Sequence, residues 1–594
     1  MKQLPRFTEW LRNERPLRYL RRAAYLAPPL ALVVSLLVFV SSLADRRLES
    51  TLVVGEEAEQ WLADYFFAAL VDERPAAAAP QPQPQVLNET DLLLATLYLS
   101  GEKPRYYVHA EPLLKEALGN LSDKIRSGLG STAGSAFLKV EIRTSELKRL
   151  TAESKDLIQY LVDDAAEGFK IDSESDGTRF VFPTEAMEND WDLFKTLASA
   201  RRSGAEVFRF LTHAVVLDLR RRTWMRATRN QPEPEAVTSG RVKEAIISGA
   251  DFLVRHQEKD GRYRYAYDPI GDKYPQGYNL LRHVGTSFSL YQIYGLTRDA
   301  KYLAAADRAM AWLDEKHVKT DGEISFVLEG WQAKLGGGGL ALLALCEREK
   351  WVKDGRDLEL MLRFGRFIER VQKPNGDFQH YFRWSEQADV PARGSIYYPG
   401  EATLALIRLH RVTGERRWLE SASKAADFMI GRWRFLGLNT YVPPDAWLMY
   451  ALSDIYEATG KTRYLEYNRV IAETMWNYRF REKENRASAF VGSTWDPQFP
   501  RSTPTAARSE GQGALCRALK KMEHEAEASL CAKELLAATA FLLSQQITER
   551  NSFYAKAPEK AVGGFFSSIV DPEIRIDYVQ HNISALLFAL DWLE

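Results

Sequence analysis

From about residue 240 to the end of the chain, apolar side chains recur at the three-to-four spacing of amphipathic helices, and the helices come in pairs. The periodicity predicts 240–257 with 283–295, 301–316 with 336–348, 358–372 with 400–413, 416–432 with 445–458, 462–478 with 510–523, and 526–546 with 578–592. The second helix of each pair is the more apolar and richer in Gly and Ala, as in LGGGGLALLALC, GEATLALIRL and HNISALLFAL. A helix packed on both sides needs that composition. Six antiparallel hairpins suffice to close an inner ring inside an outer one, so an (α/α)6 toroid is expected over 240–594, with an open solenoid of the same hairpins as the alternative. The turns repeat as well. Thr297…Tyr302-Leu303, Thr413…Trp418-Leu419 and Thr459…Tyr464-Leu465 each end one helix and start the next. Gln257-x3-Gly261-x-Tyr263 is matched by Gln372-x3-Gly376-x-Phe378. Such self-similarity marks an array of equivalent units.

The first half reads differently. Ala23 to Leu43 is an uncharged apolar run of 21 residues, long enough for one transmembrane helix. Lys2, Arg6, Arg12, Arg15, Arg18, Arg21 and Arg22 precede it, while only Arg46 and Arg47 follow closely. The positive-inside rule therefore puts residues 1–22 in the cytoplasm and the bulk outside. In a bacterium this is a single-pass inner-membrane protein facing the periplasm. Cleavage as a signal peptide after Ser42-Leu43-Ala44 is the rival. Residues 48–90 hold an amphipathic helix and a Pro/Ala/Gln spacer (Pro75 to Gln85). Residues 91–230 mix the two periodicities: 137–143 alternates like a strand, 169–182 reads as a hairpin turning at Asp176-Gly177, and 206–222 is strand-rich. A small α+β domain of unassigned role is expected, ending at the Gln231-Pro-Glu-Pro-Glu linker. The fold class is thus mainly α, with an anchor, this domain and the toroid.

Composition narrows the chemistry only a little. With 79 basic and 80 acidic residues in 594, the charge gives no reason to expect nucleic acid as partner. Cys346, Cys516 and Cys531 fit no zinc spacing and no disulfide framework, so buried free thiols are expected, with no metal and no cofactor.

If the second helices form the inner ring, their N-termini open on one mouth. Standing there are Arg282, His283, Gly336 to Gly339, Glu401, Asp445, Glu510, Asp577, Gln580 and His581, approached by loops carrying Tyr263, Tyr278, Trp331, Tyr381, Trp384, Tyr397, Tyr398, Tyr441 and Trp495. Acids, imidazoles and flat rings around a cleft suit a saccharide, since rings stack on C–H faces while carboxylates and His move protons. Glu401, Asp445, Glu510, His283 and His581 are the catalytic candidates. Arg282, Tyr397, Tyr398, Trp331, Trp384, Asp577 and Gln580 are the substrate-binding ones. The converging positive helix ends, with Arg282, Arg508 and Lys334, favour an acidic glycan. Each acid has an ordinary alternative, because the macrodipole alone favours acids in a first turn.

Six hairpins with polar inner-helix starts and this threonine-containing turn resemble the (α/α)6 carbohydrate enzymes: six-hairpin glycosidases, N-acylglucosamine 2-epimerases and the helical domain of glucuronyl C5-epimerases. Arg575-Ile-Asp577-Tyr578-Val-Gln-His581-Asn582 is loosely similar to the last inner helix of the C5-epimerases. The Gln-x3-Gly turns are also similar to those of terpene cyclases, but no Asp-x-Asp-Asp motif accompanies them. The resemblance covers residues 240–594 and implies an enzyme that hydrolyses, eliminates or epimerises a glycan; the anchor expected at 23–43 would tether it to the membrane. The alternative is a non-catalytic polysaccharide-binding or scaffold subunit of an envelope machine, with envelope proteins as partners.

Overall fold

The computed structural model describes residue 48 and residues 50–593, apart from 73–83, 90, 101, 111–114, 130–135, 156–157, 159–166, 190–191, 385–393, 436–443, 482–487 and 495–499. The expected anchor at 23–43, most of the Pro75–Gln85 spacer, Tyr441 and Trp495 lie outside the described residues. Among the described residues no helix is long and apolar enough to cross a membrane.

The helix α1 (Glu56–Leu70) precedes an antiparallel sheet made of β1 (Leu93–Leu99), β2 (Arg105–His109), β3 (Ala136–Arg143), β4 (Glu167–Ser173), β5 (Gly177–Val181), β6 (Glu206–Asp218) and β7 (Thr223–Thr228). The strand order is β2-β1-β3-β6-β4-β5, with β7 on β6. Alternation decides its faces. Leu93, Ala95 and Leu97 of β1 with Leu138, Val140 and Ile142 of β3 pack on α1 and on α2 (Lys115–Leu129). On the opposite face Tyr98, Val216, Met225 and Ala227 join the core of the helical part. Phe553 of that part packs against Tyr98 and Phe137. The residues expected as a linker are structured too, since Gln231-Pro232 adds to β7.

The helical part follows as α4 (Ser239–Arg255) and α5 (Leu280–Thr297), α6 (Ala300–His317) and α7 (Leu335–Val352), and α8 (Leu358–Arg370) and α9 (Tyr398–Thr413). Then come α10 (Arg416–Phe435) and α11 (Ala446–Thr459), α12 (Thr462–Asn477) and α13 (Ser502–Lys521), and α14 (Glu525–Ser544) and α15 (Ile576–Leu590); α3 (Leu193–Arg202) belongs to the sheet domain. The odd-numbered helices α5 to α15 contact one another in sequence, and α15 returns to α5, so the inner ring closes. Ser584 Oγ lies 2.7 Å from Ser289 Oγ across that seam. The chain is therefore an (α/α)6 toroid and not an open solenoid.

The repeated turns have physical causes. Each recurring threonine returns its hydroxyl to the carbonyl four residues back and accepts the N–H two residues on, as Thr413 does with Leu409 and Glu415 at 3.0 and 3.2 Å. The aromatic that follows is inserted into the core: Tyr302, Trp418 and Tyr464 are all buried. In the other motif the glutamine side chain reaches the next outer helix. Gln257 donates to the Ala305 carbonyl at 2.8 Å, and Gln372 to that of Ser421 at 3.0 Å. Gln546 makes the equivalent bond to Ala245 at 2.8 Å, joining the last outer helix to the first. Gly261 (φ 102°) brings its backbone so close that a Cβ would lie 2.2 Å from the Arg308 carbonyl oxygen, so no other residue fits there.

The expectation for the cysteines is corrected in part. Cys516 of α13 and Cys531 of α14 form a disulfide, with Cα atoms 5.4 Å apart, while Cys346 is a buried free thiol. The two helices are one antiparallel hairpin, so cysteines 15 residues apart face each other across its turn. Spacing along the chain does not reveal that pairing.

Candidate active site

All six inner helices contribute to one belt at the mouth. On its first side lies Asp577, in the first turn of α15, which is 5 % exposed. Its carboxylate accepts from Arg575 Nε at 2.6 Å and Nη2 at 3.0 Å, and Arg282 Nε of α5 lies 3.0 Å from Oδ2. One turn further along α15, His581 Nδ1 faces the buried Glu510 of α13, 3.2 and 3.3 Å from its two oxygens. Burial pushes the Glu510 carboxyl up and His581 opposes that; burial is also the largest single influence on His581 and disfavours the imidazolium, but the Glu510 charge, its hydrogen bond and the Asp577 charge together outweigh it, and His581 ends above its usual range. Nδ1 and the carboxylate are placed to share a hydrogen bond. Nδ1 being occupied, His581 Nε2 is the nitrogen left for chemistry, and its side chain keeps 15 % exposure. The Trp447 ring of α11 stands 6.2 Å from that imidazole.

The other side is built from α7, α9 and α11. Glu401, in the first turn of α9, is 5 % exposed, and its Oε2 has no hydrogen-bond partner. Burial and the neighbouring Asp445 charge push its carboxyl up to about 8. Asp445 caps α11, accepting the Leu448 N–H at 3.1 Å; burial pushes it up to about 7 against the backbone donors that pull it down. Gly336 explains why a helix begins with four glycines. A Cβ there would lie 2.1 Å from Glu401 Oε2 and 2.6 Å from the Tyr398 ring, while one on Gly339 would meet the α9 backbone at 3.1 Å. The α7 backbone thus passes directly beneath the acid. Tyr398 packs edge-on to Tyr381, 6.0 Å between centroids, with His380 6.3 Å away.

Above this side stands a four-stranded sheet, β9 (Val318–Asp321), β10 (Ile324–Glu329), β11 (Gln332–Lys334) and β12 (Tyr381–Arg383), in the order β9-β10-β11-β12. It presents Trp331 and Trp384, 43 % and 38 % exposed, and Tyr397, at the cap of α9, is 46 % exposed. Exposed rings at a rim are available for stacking on a sugar.

Several candidates sit elsewhere than expected. His283 is fully buried beneath the mouth. Its Nε2 donates to the Ala309 carbonyl at 2.9 Å, so Nδ1 accepts from the Tyr278 hydroxyl at 2.7 Å. Burial lowers its pKa to about 4. With both nitrogens engaged, it is a structural residue. Gln580 is buried against Gly285, with Nε2 3.4 Å from His581 Nδ1, and so backs the imidazole instead of lining the opening. Lys334 is paired with Glu329, and Arg508 donates to Thr494 Oγ1 at 2.6 Å. Sequence reasoning missed Arg575, Tyr265 and Trp447 as site residues. Arg575 stands at an inner-helix start, and the rule that found Asp577 reaches it too. Among the described residues no group of three or more His, Cys, Asp or Glu is arranged to hold a metal ion.

No family model and no curated protein sequence matches this chain. Solved structures similar to it include a D-mannose isomerase (14 % identity, 59 % of this chain and 97 % of that one, TM-score 0.46). An α-mannanase of glycoside hydrolase family 76 from Bacteroides thetaiotaomicron is similar at 10 % identity, over 59 % and 96 %, with TM-score 0.44. A cellobiose 2-epimerase from Bacillus thermoamylovorans is similar at 12 % identity, over 59 % and 98 %, with TM-score 0.45.

Proposed function

We propose that this chain is a glycan-active enzyme, held at the bacterial inner membrane by residues 23–43 with its toroid in the periplasm, that moves protons at the mouth during hydrolysis, elimination or epimerisation. The observation that carries this reading is Glu401, a buried carboxyl with one oxygen unpartnered, its pKa raised to about 8 next to a second carboxyl raised to about 7. A burial cost of that kind is characteristic of sites where proton transfer near neutral pH is the task. Glu401 acts as the acid and Asp445 as the carboxylate partner. His581, oriented by Glu510, is the base facing the opening, while Trp331, Trp384 and Tyr397 stack on the sugar. The charge asymmetry around 23–43 supports the topology, and the Cys516–Cys531 disulfide supports an oxidising compartment.

The test uses the full chain with Glu401→Gln, Asp445→Asn and Glu510→Gln against a panel of neutral and uronate polysaccharides. Reducing ends report hydrolysis, new C=C absorbance reports elimination, and solvent deuterium in recovered sugar reports epimerisation. Each true acid or base lowers turnover by about 10²–10⁴. If the triple variant turns over as the parent does, the assignment is wrong. If the parent only binds, and Trp331 or Trp384 truncation alone weakens it, the scaffold reading replaces this one.

A further inference from the structure

Arg575 is the last residue of β14 (Asp571–Arg575), whose neighbours are β8 (Ala266–Tyr267) and β13 (Phe566–Ser568). Arg575 pairs in register with Ala266, and the Ile576 N–H donates to the Tyr265 carbonyl at 3.2 Å. Backbone pairing therefore fixes Arg575 and Tyr265 side by side at the rim. The Tyr265 ring lies within 5.8 Å of both guanidinium carbons, that of Arg575 and, at 5.7 Å, that of Arg282, and its hydroxyl accepts from Arg282 Nη1. The Tyr578 ring stands 4.3 Å from Arg575. Both guanidiniums converge on one oxygen, Asp577 Oδ2.

Two guanidiniums share one carboxylate, while His581 and Glu510 already satisfy each other. Glu573 is the other acid felt by Arg575, and among the described residues no ion pair or hydrogen bond joins the two side chains. Arg575 spends Nε and Nη2 on Asp577, and Arg282 spends Nε on Asp577 and Nη1 on Tyr265. Arg575 Nη1 and Arg282 Nη2 are left with no protein acceptor among the described residues. The side chains keep 21 % and 34 % exposure while Asp577 keeps 7 %. A buried carboxylate that orients two partly exposed arginines is the reverse of a closed ion pair. It preorganises donors in a fork suited to an oxyanion.

We propose that Arg282 and Arg575, held by Asp577 and Tyr265, read an oxyanion substituent of the glycan, the carboxylate of a uronate or a sulfate ester. This rests on the mouth being a glycan site and adds its substrate class. The anionic group docks on the α15 side, about one helical turn from His581, and the chain runs toward the Trp331–Trp384 side.

The experiment is calorimetric titration of the catalytically silenced full chain (Glu401→Gln) in detergent with three probes: an oligouronate, the same oligosaccharide with its carboxyls reduced to alcohols, and a sulfated oligosaccharide. Arg575→Lys and Arg282→Lys keep a charge for Asp577, so the fold is retained, but they lose the second donor. Each should weaken binding of the anionic probe roughly tenfold to a hundredfold and leave the carboxyl-reduced probe unchanged. Whichever of uronate and sulfate is the tighter ligand identifies the group read. If the carboxyl-reduced oligosaccharide binds as tightly as the oligouronate and sulfated probes, or the lysine variants weaken all three equally, the fork has no such role and the glycan reading stands alone. If the chain binds no saccharide, both fall.

Discussion

The most direct consequence of a buried acid at the mouth is that removing its charge should stabilise the protein while silencing it. Glu401→Gln keeps the shape of the protonated acid and removes the ionisation. The folded-state carboxyl titrates at about 8 against the usual 4.5, so the folded state binds the proton more tightly. That preference contributes its full stability below pH 4.5 and is lost as pH rises toward 8, because the unfolded chain gains by ionising and the folded one does not. The loss is about 3 kcal/mol at pH 7 and approaches about 5 kcal/mol above pH 8, at roughly 1.4 kcal/mol per pH unit. A cooperative unit of about 350 residues has an unfolding entropy near 0.7 kcal/mol/K, so about 3 kcal/mol is a rise of about 4 °C. The assay is scanning calorimetry of parent and variant from about pH 5 to about pH 8.5, with turnover measured on the same samples. The difference in Tm should be close to zero at the acid end and grow steadily with pH, while activity falls by about 10²–10⁴. A Tm difference that does not depend on pH, or a variant that loses stability as pH rises, would refute the argument that Glu401 is an acid held neutral by burial.

The parent's kcat/KM should be bell-shaped in pH, with the alkaline limb near 8 set by Glu401 coupled to Asp445 and the acid limb set by His581, above the usual imidazole range; a single broad plateau through neutral pH would contradict this. Gly336→Ala puts a Cβ 2.1 Å from Glu401 Oε2, so turnover should drop at least about tenfold; alanine's helix propensity, worth about 1 kcal/mol, keeps Tm level. Cys531→Ala opens a loop of 15 residues and should cost about 3 kcal/mol, read as an earlier denaturant midpoint that reductant does not lower further. His283→Ala should cost about 2–4 kcal/mol through its cavity and two lost hydrogen bonds, yet leave the kcat of the folded fraction near the parent's, whereas His581→Ala should do the opposite.

The periodicity of the chain determined the toroid, because each outer helix and each inner helix has its own apolar pattern and the turns repeat with visible residues. Thr413, Trp418, Gln372 and Gly376 are chemically specific, and each turned out to make the same bond or close approach in its hairpin. Position along an inner helix likewise pointed to Glu401, Asp445, Glu510, Asp577 and His581, since helix starts are local features. Rotation and depth were decided elsewhere. His283 and His581 stand near the starts of equivalent helices, yet one is sealed under Ala309 and Tyr278 and the other faces Glu510, because that depends on which neighbour each helix turns toward. Only the closed ring brings Arg282 to Asp577, 295 residues away, and only the packing of two consecutive helices brings Cys516 to Cys531 across their turn. Burial of Glu401, which sets its proton affinity, belongs to packing: the α7 glycines and Asp445 of α11 close on it from two other helices and Tyr398 from its own, and no local pattern carries that information.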